Sequence, residues 1–170
     1  MIHAGLVSTL LLVGFASQVV ALKPYVDPEW GFRILRPASW RVHRAEDLGL
    51  VIFHARGPFR PPRFVVLPDL PVQGRLRPRE AARRVLGDLL GLDRRPGFRW
   101  ELGGHPWAVG GESRWGTGPS RTRMVFWIRS SPGTGGVTEV TFLSGEAAES
   151  EFSGLLGVFR SMRASYSRSR

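Results

Sequence analysis

From residue 30 onward, short runs of apolar, β-branched and aromatic residues alternate with segments dominated by proline, glycine and arginine. Residues 30–35 form one such run, closed by Arg36-Pro37, and residues 40–42 resume it after the turn. Residues 50–55 (LVIFHA) and 64–67 (FVVL) have the composition of buried strands. Between them RGPFRPPR holds three prolines, which offer no N–H to a ladder, so a surface loop is predicted there. Over residues 79–92 the period changes. Ala82, Val85, Leu86, Leu89 and Leu90 fall at i, i+3, i+4, i+7 and i+8, one apolar stripe along a helix with Arg83 and Arg84 outside it. Pro78 suits the first turn, where its missing N–H has no helical acceptor. Strand signals return at residues 99–102, 106–115, 122–129 and 137–143. In the third of these, Met124, Phe126 and Ile128 alternate with Arg123, Val125, Trp127 and Arg129, giving an apolar face and a mixed one. The connections GTGPSR and SPGTGG suit hairpins, so an antiparallel meander is expected. Residues 147–163 repeat the helical stripe with Phe152, Leu155, Leu156 and Phe159. Glu146, Glu149 and Glu151 near its start and Arg160 and Arg163 near its end complement the helix dipole. The predicted order is four strands, a helix, four strands and a helix. Each helix has a single apolar face, so the fold class is α+β, an antiparallel β-sheet covered by helices.

The ends read differently. Residues 1–21 carry no charged side chain, and their apolar centre, residues 6–15, is shorter than the roughly 20 residues of a membrane-spanning helix. The segment closes on Val19-Val20-Ala21, a small-residue cleavage pattern, and is expected to be a signal peptide or an uncleaved anchor. Residues 22–163 then form one domain, and residues 164–170 (ASYSRSR) a loose, disordered basic tail.

Composition narrows the function. The absence of cysteine excludes disulfides, thiolate metal sites, a cysteine nucleophile and a lipid-modified N-terminal cysteine. The net charge is +10, and apart from Lys23 every cation is an arginine. Such a domain is drawn to anionic partners in a salt-dependent way. The six tryptophans fall in the predicted strands and are expected in the core rather than as stacking platforms, so no nucleic-acid partner is expected.

His3, His43, His54 and His105 are scattered, with no pair at metal spacing. Asp27 and Glu29, together with Glu46 and Asp47, offer oxygens to a hard cation, calcium or manganese. Asp27, Glu29 and His54 are the candidates for a metal site or for a convergent catalytic pocket. The alternatives are that Asp27, ahead of Pro28, starts a turn and that His54 is structural. Ser113, Ser120 and Ser144 lack the G-x-S-x-G elbow, and the glycine-rich segments lead into strands rather than helices, so no enzyme is expected. The arginines remain. Arg79, Arg83, Arg84, Arg94 and Arg95 cluster around the first helix and its exit, and Arg121, Arg123 and Arg129 flank a hairpin. They form either a solvated face or a docking surface for an acidic protein.

The stretch YVDPEWGFRILRPASWRV, residues 25–42, resembles the start of the PsbP-like domain family, with its Tyr-x-Asp, Gly-Phe strand and Pro-x-x-Trp turn. The likeness continues through short strands and a helix to Gly103-Gly104-His105-Pro106-Trp107 ahead of an aromatic strand. It ends with a Ser-Arg-containing hairpin and a final helix closing on Ser161-Met162, and so spans residues 23–163. The resemblance implies an α/β/α sandwich in a non-enzymatic, monomeric protein of the thylakoid lumen. Such a protein docks peripherally on photosystem II, in stabilising the oxygen-evolving complex or in assembly of photosynthetic complexes. The implied partner is an acidic surface of photosystem II subunits, and the implied ion calcium or manganese. Related folds occur in exported bacterial proteins and in a Ran-binding nuclear transport factor. The alternative is therefore an exported protein of the bacterial periplasm or cell surface with an unknown ligand or partner.

Overall fold

The computed structural model describes residues 20–57, 61–95, 97–103, 106–107 and 109–168. Residues 1–19 of the expected leader, with His3, fall outside that set, as do Gly104 and His105 of the glycine-rich motif. Among the described residues no helix is long and apolar enough to cross a membrane.

The opening stretch folds on itself. Strand β1 (Leu22–Val26) pairs antiparallel with β2 (Phe32–Pro37), with Tyr25 opposite Ile34. The turn between them needs a left-handed residue, and Gly31 supplies it at φ +62°. Within Pro-x-x-Trp, the Trp40 amide donates to the Pro37 carbonyl at 3.1 Å, and the indole drops edge-on against Phe159 at 6.3 Å.

A seven-stranded antiparallel sheet follows. Its strands are β3 (Arg41–Ala45), β4 (Leu50–His54), β5 (Arg63–Gln73), β6 (Arg99–Leu102), β7 (Val109–Trp115), β8 (Thr122–Pro132) and β9 (Val137–Ala148), in the order β3-β4-β5-β9-β8-β7-β6. The hairpins predicted at GTGPSR and SPGTGG join β7 to β8 and β8 to β9. β5 is longer than its apolar run because a bulge admits its prolines. Leu67 faces Phe142 and Leu70 faces Val140, so Pro68 and Asp69 together oppose Thr141, and Asp69 takes φ +49°. The pairing of β5 with β4 stops at Val66, which leaves the proline-bearing half with one free edge.

Alternation along the strands sends side chains to two cores. Phe53, Phe64, Trp127 and Leu143 meet helix α2 (Glu149–Ser165) through Phe152, Phe159 and Met162, and meet the small sheet through Phe32 and Ile34. Phe126, Ile128, Val140 and Phe142 meet helix α1 (Pro78–Arg84) through Ala81 and Ala82, and Val85 and Leu86 just beyond it. The result is the expected α+β sandwich, with the three-stranded sheet sharing the α2 layer.

Three expectations are corrected. The first helix ends early. After α1, Val85–Leu89 is a π-helical turn, and the extra residue per turn carries Leu89 off the apolar stripe, where it is 55% exposed; Ala81, within α1 itself, is buried beside Ala82. A strand at Leu22–Val26, too polar to read as one, precedes the four that were predicted. The tail is ordered as far as Arg168. Tyr166 is buried, stacked on Phe32 at 5.5 Å and edge-on to Trp107 at 6.0 Å. Strand β10 (Ser167–Arg168) then pairs with β2, and Arg168 Nη1 reaches Asp69 Oδ1 at 2.6 Å. Periodicity misses this tail because a single aromatic anchor holds it.

Candidate functional site

Asp27 is 1% exposed. Its Oδ1 accepts from the amides of Glu29 at 3.0 Å and Trp30 at 2.9 Å, and its Oδ2 from the Tyr25 hydroxyl at 2.9 Å. This is the turn-forming aspartate. Arg44 lies 3.5 Å from Asp27, bonds Glu29, and sits over the Trp30 ring at 5.2 Å. A guanidinium already balances the two carboxylates, and donors take the Asp27 oxygens, so a calcium or manganese ion does not fit there. His54 is placed elsewhere, on β4 opposite Arg63, with Nδ1 3.0 Å from the Ala55 carbonyl. Glu46 sits in the short helical turn Glu46–Leu48, with Asp47. Among the described residues no three acidic or histidine side chains are grouped to hold a metal.

The arginines divide in a way the sequence did not reveal. Between positions 75 and 95 there are seven, against Glu80, Asp88 and Asp93. Glu80 is turned inward to its own helix start, accepting from the Arg77 amide at 3.0 Å. Arg83 and Arg94 are exposed and make no ion pair among the described residues. Arg84 donates to the Gln73 carbonyl at 3.2 Å. Arg79 lies over Trp100 at 5.7 Å and Arg95 over Trp115 at 4.5 Å. These five predicted docking residues therefore share the α1 side of the sheet. Arg121 sits at the β7–β8 hairpin, 4.0 Å from Glu149. Arg123 is the exception. Met124 faces α1, so Arg123 points to the other face, where it bonds Glu112 at 2.7 Å and covers Phe152 at 4.7 Å. It cannot join the α1 patch.

The tryptophans explain part of this division. Trp40, Trp107 and Trp127 are core residues as expected, but Trp30, Trp100 and Trp115 are half-buried and each carries an arginine on its ring. Such stacking is worth about 0.5–1 kcal/mol at an exposed site and holds the guanidinium in place. The pairs are distant in sequence, so no spacing rule could have found them.

Two clefts open where the helices end. α1 covers only part of its face of the sheet, and the uncovered floor carries Ile52, His54, Arg63, Thr122 and Glu146. This cleft, about 730 Å³, is walled by Arg56, Trp115 and Arg121, and Arg63 grips Glu146 at 2.6 Å. A second cleft, about 640 Å³, lies across Trp115 and Arg121 from the first and is lined by Arg99, Glu112 and Arg114. Glu112 is held below the usual carboxylate range, first by its hydrogen bond from Arg123 and then by the charges of Arg123, Arg114 and Arg99, against the cost of burial.

No family model matches this chain, and no curated protein does. Solved structures do. LpqN of Mycobacterium tuberculosis, described as involved in cell envelope biogenesis, superposes with a TM-score of 0.61 at 14% identity, covering 91% of this chain and 94% of LpqN. The Ran-binding protein Mog1p of Saccharomyces cerevisiae gives 0.52 at 11% identity, over 88% of this chain and 96% of its own. The cyanobacterial PsbP of Synechocystis matches at 0.47 and 13% identity, over 89% and 94%. The first two establish the fold, an antiparallel sheet layered with helices that this chain shares with LpqN and Mog1p.

Proposed function

We propose that this chain is a non-enzymatic docking module that acts outside the cytoplasm and binds an acidic partner through the arginine-bearing α1 face. The observation that carries the reading is the imbalance over residues 75–95, where seven arginines meet three carboxylates. Arg83 and Arg94 there have no partner of their own among the described residues. Charges of this kind raise association rates and make binding salt-sensitive more than they add affinity. The non-catalytic reading is supported by the fate of the polar candidates, since Asp27 and Glu29 serve a turn and an ion pair while His54 lies on another element.

For the setting, the apolar leader and the fold shared with an envelope protein at TM-score 0.61 favour an exported module of a bacterial envelope. The photosystem II reading, peripheral docking on an acidic lumenal surface, rests on the opening motif at residues 25–42 and requires a photosynthetic host. One experiment separates them. Membranes of the native host are washed with rising salt and the released protein is followed by mass spectrometry. Release at moderate salt together with an envelope complex supports the first reading, and co-purification with photosystem II the second. Retention until detergent, unchanged by reversing Arg83 and Arg94, removes the docking face from both.

A further inference from the structure

The second cleft carries an inference independent of the α1 face. Arg99, Arg114 and Arg121 line it with Trp115 and the loop Gly116-Thr117-Gly118. Its only lining carboxylate among the described residues, Glu112, is already held by Arg123 through Nε at 3.2 Å and Nη2 at 2.7 Å. Arg114 stands 3.8 Å from Glu112 Oε1 and 3.8 Å from Glu149 Oε1, and Arg121 4.0 Å from Glu149 Oε2. Those separations give Coulomb attraction but exceed hydrogen-bond length, so the guanidinium donors are aimed at carboxylates they do not bond. Arg114 Nε and Glu149 Oε2 are buried atoms without a hydrogen bond among the described residues. Buried polar groups nearly always have a partner, and exceptions call for an explanation such as an ion or ordered water. With Glu112 neutralised by Arg123, three guanidinium charges face the single charge of Glu149, which leaves two positive charges.

We propose that this cleft binds the dianionic group of a phosphate monoester, held by Arg99, Arg114 and Arg121. A phosphate monoester carries close to two negative charges at neutral pH, and its oxygens match the planar guanidinium fork. The arginine side chains do the binding, since the glycine loop runs into only a single short helical turn, Gly118–Ser120, before β8. Trp115 belongs to the α1 side, where Arg95 covers its ring at 4.5 Å, so the organic body of the ester leaves the cleft past the Gly116-Thr117-Gly118 loop.

The test is calorimetric titration of the purified protein with phenyl phosphate, inorganic phosphate and vesicles containing phosphatidic acid. Phenyl phosphate and inorganic phosphate both bind saturably at one site and compete, because the arginines hold the phosphate group itself. Arg114→Ala weakens binding about tenfold, as expected for a lost charged hydrogen bond. Arg114→Lys weakens it too, since it keeps the charge and loses the fork. Arg99→Ala, on an edge strand, repeats the loss should Arg114→Ala fail to fold. Arg83→Ala leaves binding intact. Vesicle binding abolished by the same variants makes a lipid headgroup the source of the phosphate, and binding of phenyl phosphate without vesicle binding makes it a soluble ester. If phenyl phosphate does not bind, or if Arg83→Ala weakens binding as much as Arg114→Ala, the site does not exist.

Discussion

Gly145 and Gly157 differ in what a methyl group would meet. A Cβ on Gly145, in β9, would lie 2.3 Å from Cγ of Phe159, whereas one on Gly157, on the outside of α2, would have nothing within 4 Å. Gly145→Ala is expected to cost about 1–3 kcal/mol by overpacking, and Gly157→Ala to stabilise by about 0.5–1 kcal/mol through helix propensity. Urea unfolding of the two variants reads opposite shifts in midpoint. Trp40, 7% exposed against Phe159, should lose about 3–5 kcal/mol on truncation to alanine, and an unchanged midpoint would contradict its place in the core. The phenols supply a pH dependence. Tyr25 is pushed up to about 12 by burial and then by its hydrogen bond to Asp27 and that residue's charge, and burial raises Tyr166 as well. Their folded pKa values lie above the unfolded value of 10.0, so this contribution to stability is complete below pH 10 and is lost as pH climbs toward 12. Unfolding free energy should therefore fall above pH 10, less steeply in Tyr25→Phe. Phenolate absorbance of the folded protein should appear only beyond the pH at which the unfolded chain ionises.

At the scale of elements, the C-terminal end is the least predictable and the most instructive. Ser165 Oγ accepts the Leu35 amide at 2.8 Å, Tyr166 seals the gap between Phe32 and Trp107, and Arg168 ties the tail to the β5 bulge through Asp69. Deleting residues 166–170 removes the aromatic anchor and should destabilise the domain by at least about 3 kcal/mol, as large aromatic truncations do. Thermal unfolding would detect it, and a wild-type melting curve would mean that the tail only rests on the surface. The first helix teaches the converse. Its stripe predicted a helix over residues 79–92, but Gly87 and the π-helical turn end the regular part after Arg84. A π-turn depends on how Val85 and Leu86 seat on the sheet, which no periodicity encodes.

For the whole molecule, the charge of +10 is distributed unevenly enough to matter. Exposed charges act over about 10 Å at 0.1 M salt, so the α1 arginines add up to one field at that range. Reversing Arg83 and Arg94 to glutamate should weaken salt-sensitive retention on host membranes. Stability should move by no more than about 0.5 kcal/mol, because both residues are exposed and neither has an ion-pair partner among the described residues. Retention and melting temperature measured on the same variant separate docking from folding.

The sequence by itself determined the strands of the meander, their hairpins, the last helix and the α+β class, because period and turn chemistry are local. It also determined the sign of the charge and the chemistry that missing cysteines forbid. Only the tertiary structure decided which arginines act together. It placed Arg123 behind the sheet on Glu112, stacked Arg79 and Arg95 on Trp100 and Trp115, and put Arg44 where a cation at Asp27 and Glu29 was expected. It also brought Arg99, Arg114 and Arg121 around one cleft from two strands and a hairpin. Each of these depends on strand register and on which face a side chain takes, and a one-residue change in register would exchange the faces.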